Sequence, residues 1–122
     1  MASMTLTITS LKDRADFLRL RNGRKAMSAY FIVRVAPSTI PTQTTARVGF
    51  TVTTKCGNAA VRNRIKRRLR ALVREIFPNA ARAGHDYIFI ARNDAKPSAA
   101  DAPFAELRAA MTHAMQTIHP HA

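Results

Sequence analysis

Between Val61 and Arg70 the chain reads VRNRIKRRLR, six arginines and lysines in ten residues with no acid to offset them. Arg62, Lys66 and Arg70 recur every four residues, Asn63, Arg67 and Arg74 continue that flank outward, and Arg64 and Arg68 emerge on the opposite flank of a helix. A helix that merely faces water intersperses Glu at i±4 from Lys or Arg, each pair worth about 0.2–0.5 kcal/mol. This one stacks like charges at those spacings. Most of its cations are arginine, whose planar fork takes phosphate bidentately and stacks on bases, neither of which a solubilising surface requires. The chemistry open to the stretch is therefore recognition of phosphates on a polyanion. Gly57 and Asn58 precede the helix start, where free backbone N–H groups and the positive dipole end lie beside Arg62 and Arg64. Asn63 adds an amide that donates and accepts in one place, although an ordinary solvent-exposed amide reads the same way.

The charge balance supports a dedicated surface. The net charge of +13 lies wholly in residues 17–74, which hold fourteen basic and no acidic side chains, while the segments before and after are close to neutral. An anionic membrane also presents phosphates. No run of 18 apolar residues exists to span one, and MASMTLTITSLKDR lacks a basic stretch leading into an apolar core. A soluble cytoplasmic protein is the expectation. Cys56 is the single cysteine, so no intramolecular disulfide forms, and a small buried side chain is its expected role rather than a nucleophile. No carboxylate pair or histidine cluster at ligand spacing stands out, so we name no catalytic and no metal-binding residue.

A helix of this kind has to be anchored. With 122 residues, 47% of them hydrophobic, one domain around one core is expected. Val61, Ile65, Leu69, Leu72 and Ile76 fall within an arc of roughly 80° and form the buried stripe of a helix from about Ala59 to Phe77, which Pro78 should stop. Before it, RVGFTVT (47–53) alternates with Val48, Phe50 and Val52 on one face, a half-buried strand that turns at Lys55–Asn58. SAYFIVRV (28–35) reads as a further strand ended by Pro37 and paired with 47–53 as a hairpin across the loop 36–46. LKDRADFLRLR (11–21) reads as a short amphipathic helix, and DYIFIAR (86–92) as an interior strand joined in parallel to 47–53 by a crossover. Ser98 or Asp101 should cap a last helix with Phe104, Leu107, Met111, Ala114, Met115 and Ile118 on its core face. The tail from His119 is expected to fray. The order is αβββαβα if the strand near residue 30 is two, αββαβα otherwise, and either makes an α+β sandwich.

From Val48 to Phe77 the sequence resembles the protein subunit of bacterial ribonuclease P. Arg62-Asn63-Arg64 followed by Ile65-Lys66-Arg67 is similar to that family's RNR signature, and Thr54-Lys55-Cys56-Gly57-Asn58-Ala59 to the turn before it. Ala15-Asp16-Phe17 and DYIFIAR resemble the family's first helix and last strand, so the resemblance covers about residues 11–118 of a single RNA-binding domain. It implies a two-layer sandwich of a mixed sheet with helices, like the second domain of ribosomal protein S5, with a left-handed βαβ crossover where general rules favour a right-handed one. It implies as partners a large catalytic RNA and precursor tRNA, whose 5′ leader the pair removes, with the chain monomeric until RNA binds. Mg²⁺ would be held mainly by the RNA, and no cofactor by the protein. Asn58, Arg62, Asn63, Arg64, Lys66, Arg67, Arg68 and Arg70 would face the catalytic RNA. Phe17, Phe31, Arg34, Lys55 and Arg92 would line a leader cleft between the first helix and the sheet, although core packing is an equal reading for both phenylalanines. The sequence departs from the family at a second first-helix phenylalanine, where Leu20 or Arg21 stands, at Thr53 and Thr54 in place of cations, and at Arg34 in place of an aromatic. A ribosomal or ribosome-assembly protein shares these electrostatics without the cleft, and a membrane-surface or DNA-binding module is the remaining alternative.

Overall fold

A computed structural model describes residues 6–40 and 44–119. Its strands are β1 (Thr7–Ser10), β2 (Arg24–Met27), β3 (Phe31–Pro37), β4 (Thr45–Thr51) and β5 (His85–Ala91), and its helices α1 (Arg14–Leu20), α2 (Ala59–Ala80) and α3 (Phe104–Ile118). The apolar segment 86–92 does become the interior strand. The sheet runs β1-β4-β5-β3-β2, with β5 parallel to β4 and antiparallel to β3. The αβββαβα series is present, since the strand near residue 30 is two, and β1 stands ahead of it, pairing in parallel with β4. The Ser28 hydroxyl makes the β2–β3 turn by accepting the N–H groups of Tyr30 and Phe31, each at 3.1 Å.

The expected hairpin of 28–35 with 47–53 does not form, because β5 lies between them. A strand apolar on both faces is best placed at the centre, covered on each side. The β3–β4 connection therefore bridges two strand spacings, about 10 Å. Its residues 41–43, like the tail beyond His119, lie outside the described residues.

Two clusters hold the layers together. On one face Phe31, Val33 and Phe89 of the sheet pack against Leu69 and Leu72 of α2 and Met111 of α3, all essentially without exposure. Burying such side chains contributes about 1.5–3 kcal/mol each. On the other face the smaller α1 buries Leu20 with Leu11 and Ile88. The result is a two-layer α+β sandwich with one short helix on its open side.

Four local expectations are corrected. α1 starts at Arg14, not Leu11, because the Leu11 N–H continues the β1 ladder onto the Val48 carbonyl at 2.9 Å. α2 runs through Pro78 to Ala80: the proline falls in the last turn, where one lost N–H bond is tolerable, and Phe77 is pinned against Tyr87 at 5.0 Å. Neither Ser98 nor Asp101 caps α3. Pro103 occupies the N-cap, and the Ser98 hydroxyl accepts the Ala100 N–H at 3.2 Å. His119 does not fray, being buried with its Nε2 2.6 Å from the Tyr87 hydroxyl.

Candidate nucleic-acid interface

The start of α2 is set by its turn. Gly57 has φ of 143°, a left-handed conformation that favours glycine, and a β-carbon there would stand 2.9 Å from Val61. Asn58 is the N-cap, its side chain accepting the Val61 N–H at 3.0 Å, a contact worth about 1 kcal/mol. Burial of Ile65, Leu69, Leu72, Val73 and Phe77 then orients every cation on the helix.

The two flanks differ. Arg64 Nε donates to the Ala100 carbonyl at 2.6 Å, and Arg68 donates from Nη1 to Ala99 at 2.5 Å and from Nη2 to Ala102, with its guanidinium 5.5 Å from the Phe104 ring centre. These bonds fix the loop before α3, so Arg68 is occupied as scaffold and Arg64 keeps only its outer N–H groups for a ligand. Desolvation first, then the charge of Arg64, lowers the Arg68 pKa. On the other flank Asn63, Lys66, Arg67 and Arg70 border a shallow groove. No acid among the described residues pairs with Lys66, Arg67, Arg70 or Arg74. Arg62 Nε is buried beside them with no hydrogen-bond partner among the described residues.

Across the sheet, α1 is docked by charge. Asp86, with no exposure, receives Arg47 through Nε at 2.8 Å and Nη2 at 2.6 Å, and Arg19 Nη2 at 2.5 Å. Arg19 also bonds Asp16 at 3.1 Å and the Pro37 carbonyl at 2.8 Å, so one network ties α1 to β3, β4 and β5. Phe17 reaches the sheet where Gly49 leaves room: a β-carbon there would be 2.6 Å from its Cζ. Between α1 and the sheet runs a cleft of about 350 Å³. Arg14, Phe17, Leu18 and Arg21 form its helical wall, and Arg34, Thr51, Ile88 and Ile90 its floor.

Of the five residues expected in a cleft, Phe17 and Arg34 line it. Phe31 does not: it is fully buried on the opposite face, edge-on to Phe89 at 5.2 Å, because strand alternation puts Phe31, Val33 and Val35 on the α2 side and Arg34 on the cleft side. Lys55 is exposed on the 3-10 turn Thr54–Cys56, outside the lining of the cleft. Arg92 is also outside that lining and is matched to Asp94 at 3.0 and 2.9 Å, its guanidinium holding the Asp94 carboxyl below its usual pKa. Arg14, Leu18 and Arg21 were missed, although their i, i+4, i+7 spacing marks one helical face. Leu20 is buried and Arg21 is on the cleft wall, which accounts for the two candidates at the absent second phenylalanine.

Among the described residues no three His, Cys, Asp or Glu side chains converge on a metal position, and no helix is long and apolar enough to cross a membrane. Cys56 is half-buried, its Sγ 3.9 Å from the Ala91 carbonyl.

The chain is thus a small α+β sandwich with an apolar-striped, cation-covered helix on one face and, on the other, a cleft lined by one aromatic and three arginines. The model of the Ribonuclease P family matches residues 7–119. The chain is similar to the ribonuclease P protein component of Bartonella quintana, 46% identical over 89 residues, covering 70% of this chain and 67% of that protein. With that of Ruegeria pomeroyi it shares 36% over 113 residues, 92% of this chain and 87% of that protein. Its fold is similar to the RNase P protein of Staphylococcus aureus, with a TM-score of 0.72, 28% identity, and coverage of 88% of this chain and 93% of that one. The RNase P protein from Thermotoga maritima gives 0.69 and 25%, over 85% and 92%. The chain belongs to the ribonuclease P protein family. Membership implies a subunit of the tRNA 5′-processing ribonucleoprotein, associated with ribonuclease P RNA.

Proposed function

We propose that the chain binds the catalytic RNA of ribonuclease P through α2, holds the single-stranded 5′ leader of precursor tRNA between α1 and the sheet, and so assists endonucleolytic removal of that leader. The observation that carries this reading is the pairing of two surfaces: a helix flank of cations without acids, and around the sheet from it an apolar cleft whose cations are Arg14, Arg21 and Arg34. Cations along a groove track a backbone while an aromatic stacks bases sequence-tolerantly, each stack worth about 1–3 kcal/mol. Phe17 is the stacking residue, Arg14, Arg21 and Arg34 take leader phosphates, and Asn63, Lys66, Arg67 and Arg70 hold the catalytic RNA, with Arg62 and the outer N–H groups of Arg64 beside them.

Within this reading the protein binds and orients, and proton or metal chemistry at the scissile phosphate belongs to the RNA, which holds the Mg²⁺. Five of the seven acids support it by being engaged elsewhere: Asp16 and Asp86 with Arg19 and Arg47, Glu75 with Arg108, Asp94 with Arg92, and Glu106 with the Tyr30 hydroxyl. By neutralising RNA phosphates, the basic flank lowers the Mg²⁺ concentration at which the RNA folds and cuts. The test is reconstitution with the cognate RNA at low Mg²⁺. We expect faster precursor cleavage than by RNA alone. No gain, with co-sedimentation on ribosomal subunits instead, would overturn the proposal.

A further inference from the structure

The cleft accounts for one side of Phe17 only. β1 stops pairing with β4 at Ser10 and Val48, and after the last bond, from the Leu11 N–H, the chain turns away into α1. Gly49 and Phe50 therefore sit at an open border of the sheet, and a second groove of about 320 Å³ wraps round it. Lys12, at the entry to α1, supplies one cation, and Lys66, Arg70 and Arg74 from α2 supply three. Phe17 and Phe50 are its aromatics, with the Arg70 guanidinium 5.6 Å from the Phe50 ring centre, and no acid lines it.

Its walls are shared. Phe17 lines both the cleft and this border groove, while Lys66 and Arg70 line both the border groove and the outer groove of Asn63 and Arg67. The three depressions thus form one track running from the α1 face, round the sheet border, to the outside of α2. A single strand fits such a bend, with bases on the aromatics and phosphates on the cations. A duplex, recognised across a wide shallow groove, does not.

We propose that the border groove is a further subsite for single-stranded RNA, carrying the leader from the cleft round β4 to α2, so that Lys66 and Arg70 are the wall between leader and catalytic RNA. Lys12 and Arg74 then meet only the leader, and Arg67 and Asn63 only the catalytic RNA. This rests on the leader reading of the cleft.

The holoenzyme tests it with precursors carrying a long leader or a single leader nucleotide, and with catalytic-RNA affinity measured separately. Lys12 and Arg74 are exposed, so Lys12→Ala and Arg74→Ala should leave the fold intact, checked by circular dichroism. Each should weaken binding of the long-leader precursor only, and flatten its log–log salt slope by about 0.7. Arg67→Ala should weaken catalytic-RNA binding and spare the difference between the two precursors. The proposal is overturned if Lys12→Ala and Arg74→Ala weaken catalytic-RNA binding, weaken both precursors equally, or change nothing. A wild-type protein that binds both precursors equally would overturn the leader reading itself.

Discussion

The two flanks of α2 carry the same kinds of side chain and do opposite work. Arg64 and Arg68 reach across to the carbonyls of Ala99, Ala100 and Ala102 and fasten the loop before α3, whereas Lys66, Arg67, Arg70 and Arg74 meet no acid among the described residues. A carbonyl accepts hydrogen bonds without cancelling charge, so the fastened flank adds to the positive field while Arg68 and the Nε of Arg64 are already engaged. What separates scaffold arginine from binding arginine is therefore what lies opposite it, a property of the tertiary structure.

The sharpest way to break that division is to attack the scaffold set where it is most buried. Asp86 sits under Arg47 and Arg19 with no exposure, so Asp86→Ala strands two guanidiniums and should lower the unfolding free energy by about 3–5 kcal/mol in urea titration. A loss below about 1 kcal/mol would move Arg19 and Arg47 out of the scaffold set. Next in size is the contrast on α2 itself. Arg68→Ala leaves two buried carbonyls without donors and should destabilise by about 1–3 kcal/mol. Arg67→Ala, on the exposed flank, should stay within about 0.5 kcal/mol yet flatten the salt dependence of RNA binding by about 0.7–0.9 in log–log slope. If the two variants exchange these phenotypes, the division is wrong.

The sequence shows the helix better than its surroundings. The stripe of α2 and the central strand are legible because their apolar residues keep the helical period or cover both faces of a strand. β1 is not, since TITS is short, polar and at the sheet edge, where nothing enforces alternation. The mistaken pairing of β3 with β4 comes from reading neighbours in sequence as neighbours in space, when a doubly apolar β5 already demanded the centre. The burial of Phe31 is legible in its parity with Val33 and Val35, and the cleft wall of Arg14, Leu18 and Arg21 in their helical spacing. The roles of Arg64 and Arg68 could not be read, because they depend on where residues 99–102 come to rest, far away along the chain.

An effect that depends on pH lies at the opposite end of α2, where a neutral base is buried among cations. The Arg82 N–H donates to the Tyr87 hydroxyl oxygen at 2.9 Å, burial pushes the Tyr87 pKa up to about 12, and the neutral phenol is hydrogen-bonded with His119 Nε2 at 2.6 Å. His119 Nδ1 is buried with no hydrogen-bond partner among the described residues. Burial first, then the charges of Arg82, His85 and Arg24, lower the His119 pKa from 6.5 to about 4. Between those two values the unfolded chain binds a proton that the folded one refuses, so this residue makes stability fall as pH drops from 6.5 towards about 4, with no further loss below. Carboxylates titrating in the same range are common to the wild type and to His119→Gln, which removes only the imidazole. Unfolding free energies of the two measured across pH 4–7 should therefore converge as the solution is acidified. A difference that stays constant with pH would mean that His119 is protonated alike in both states.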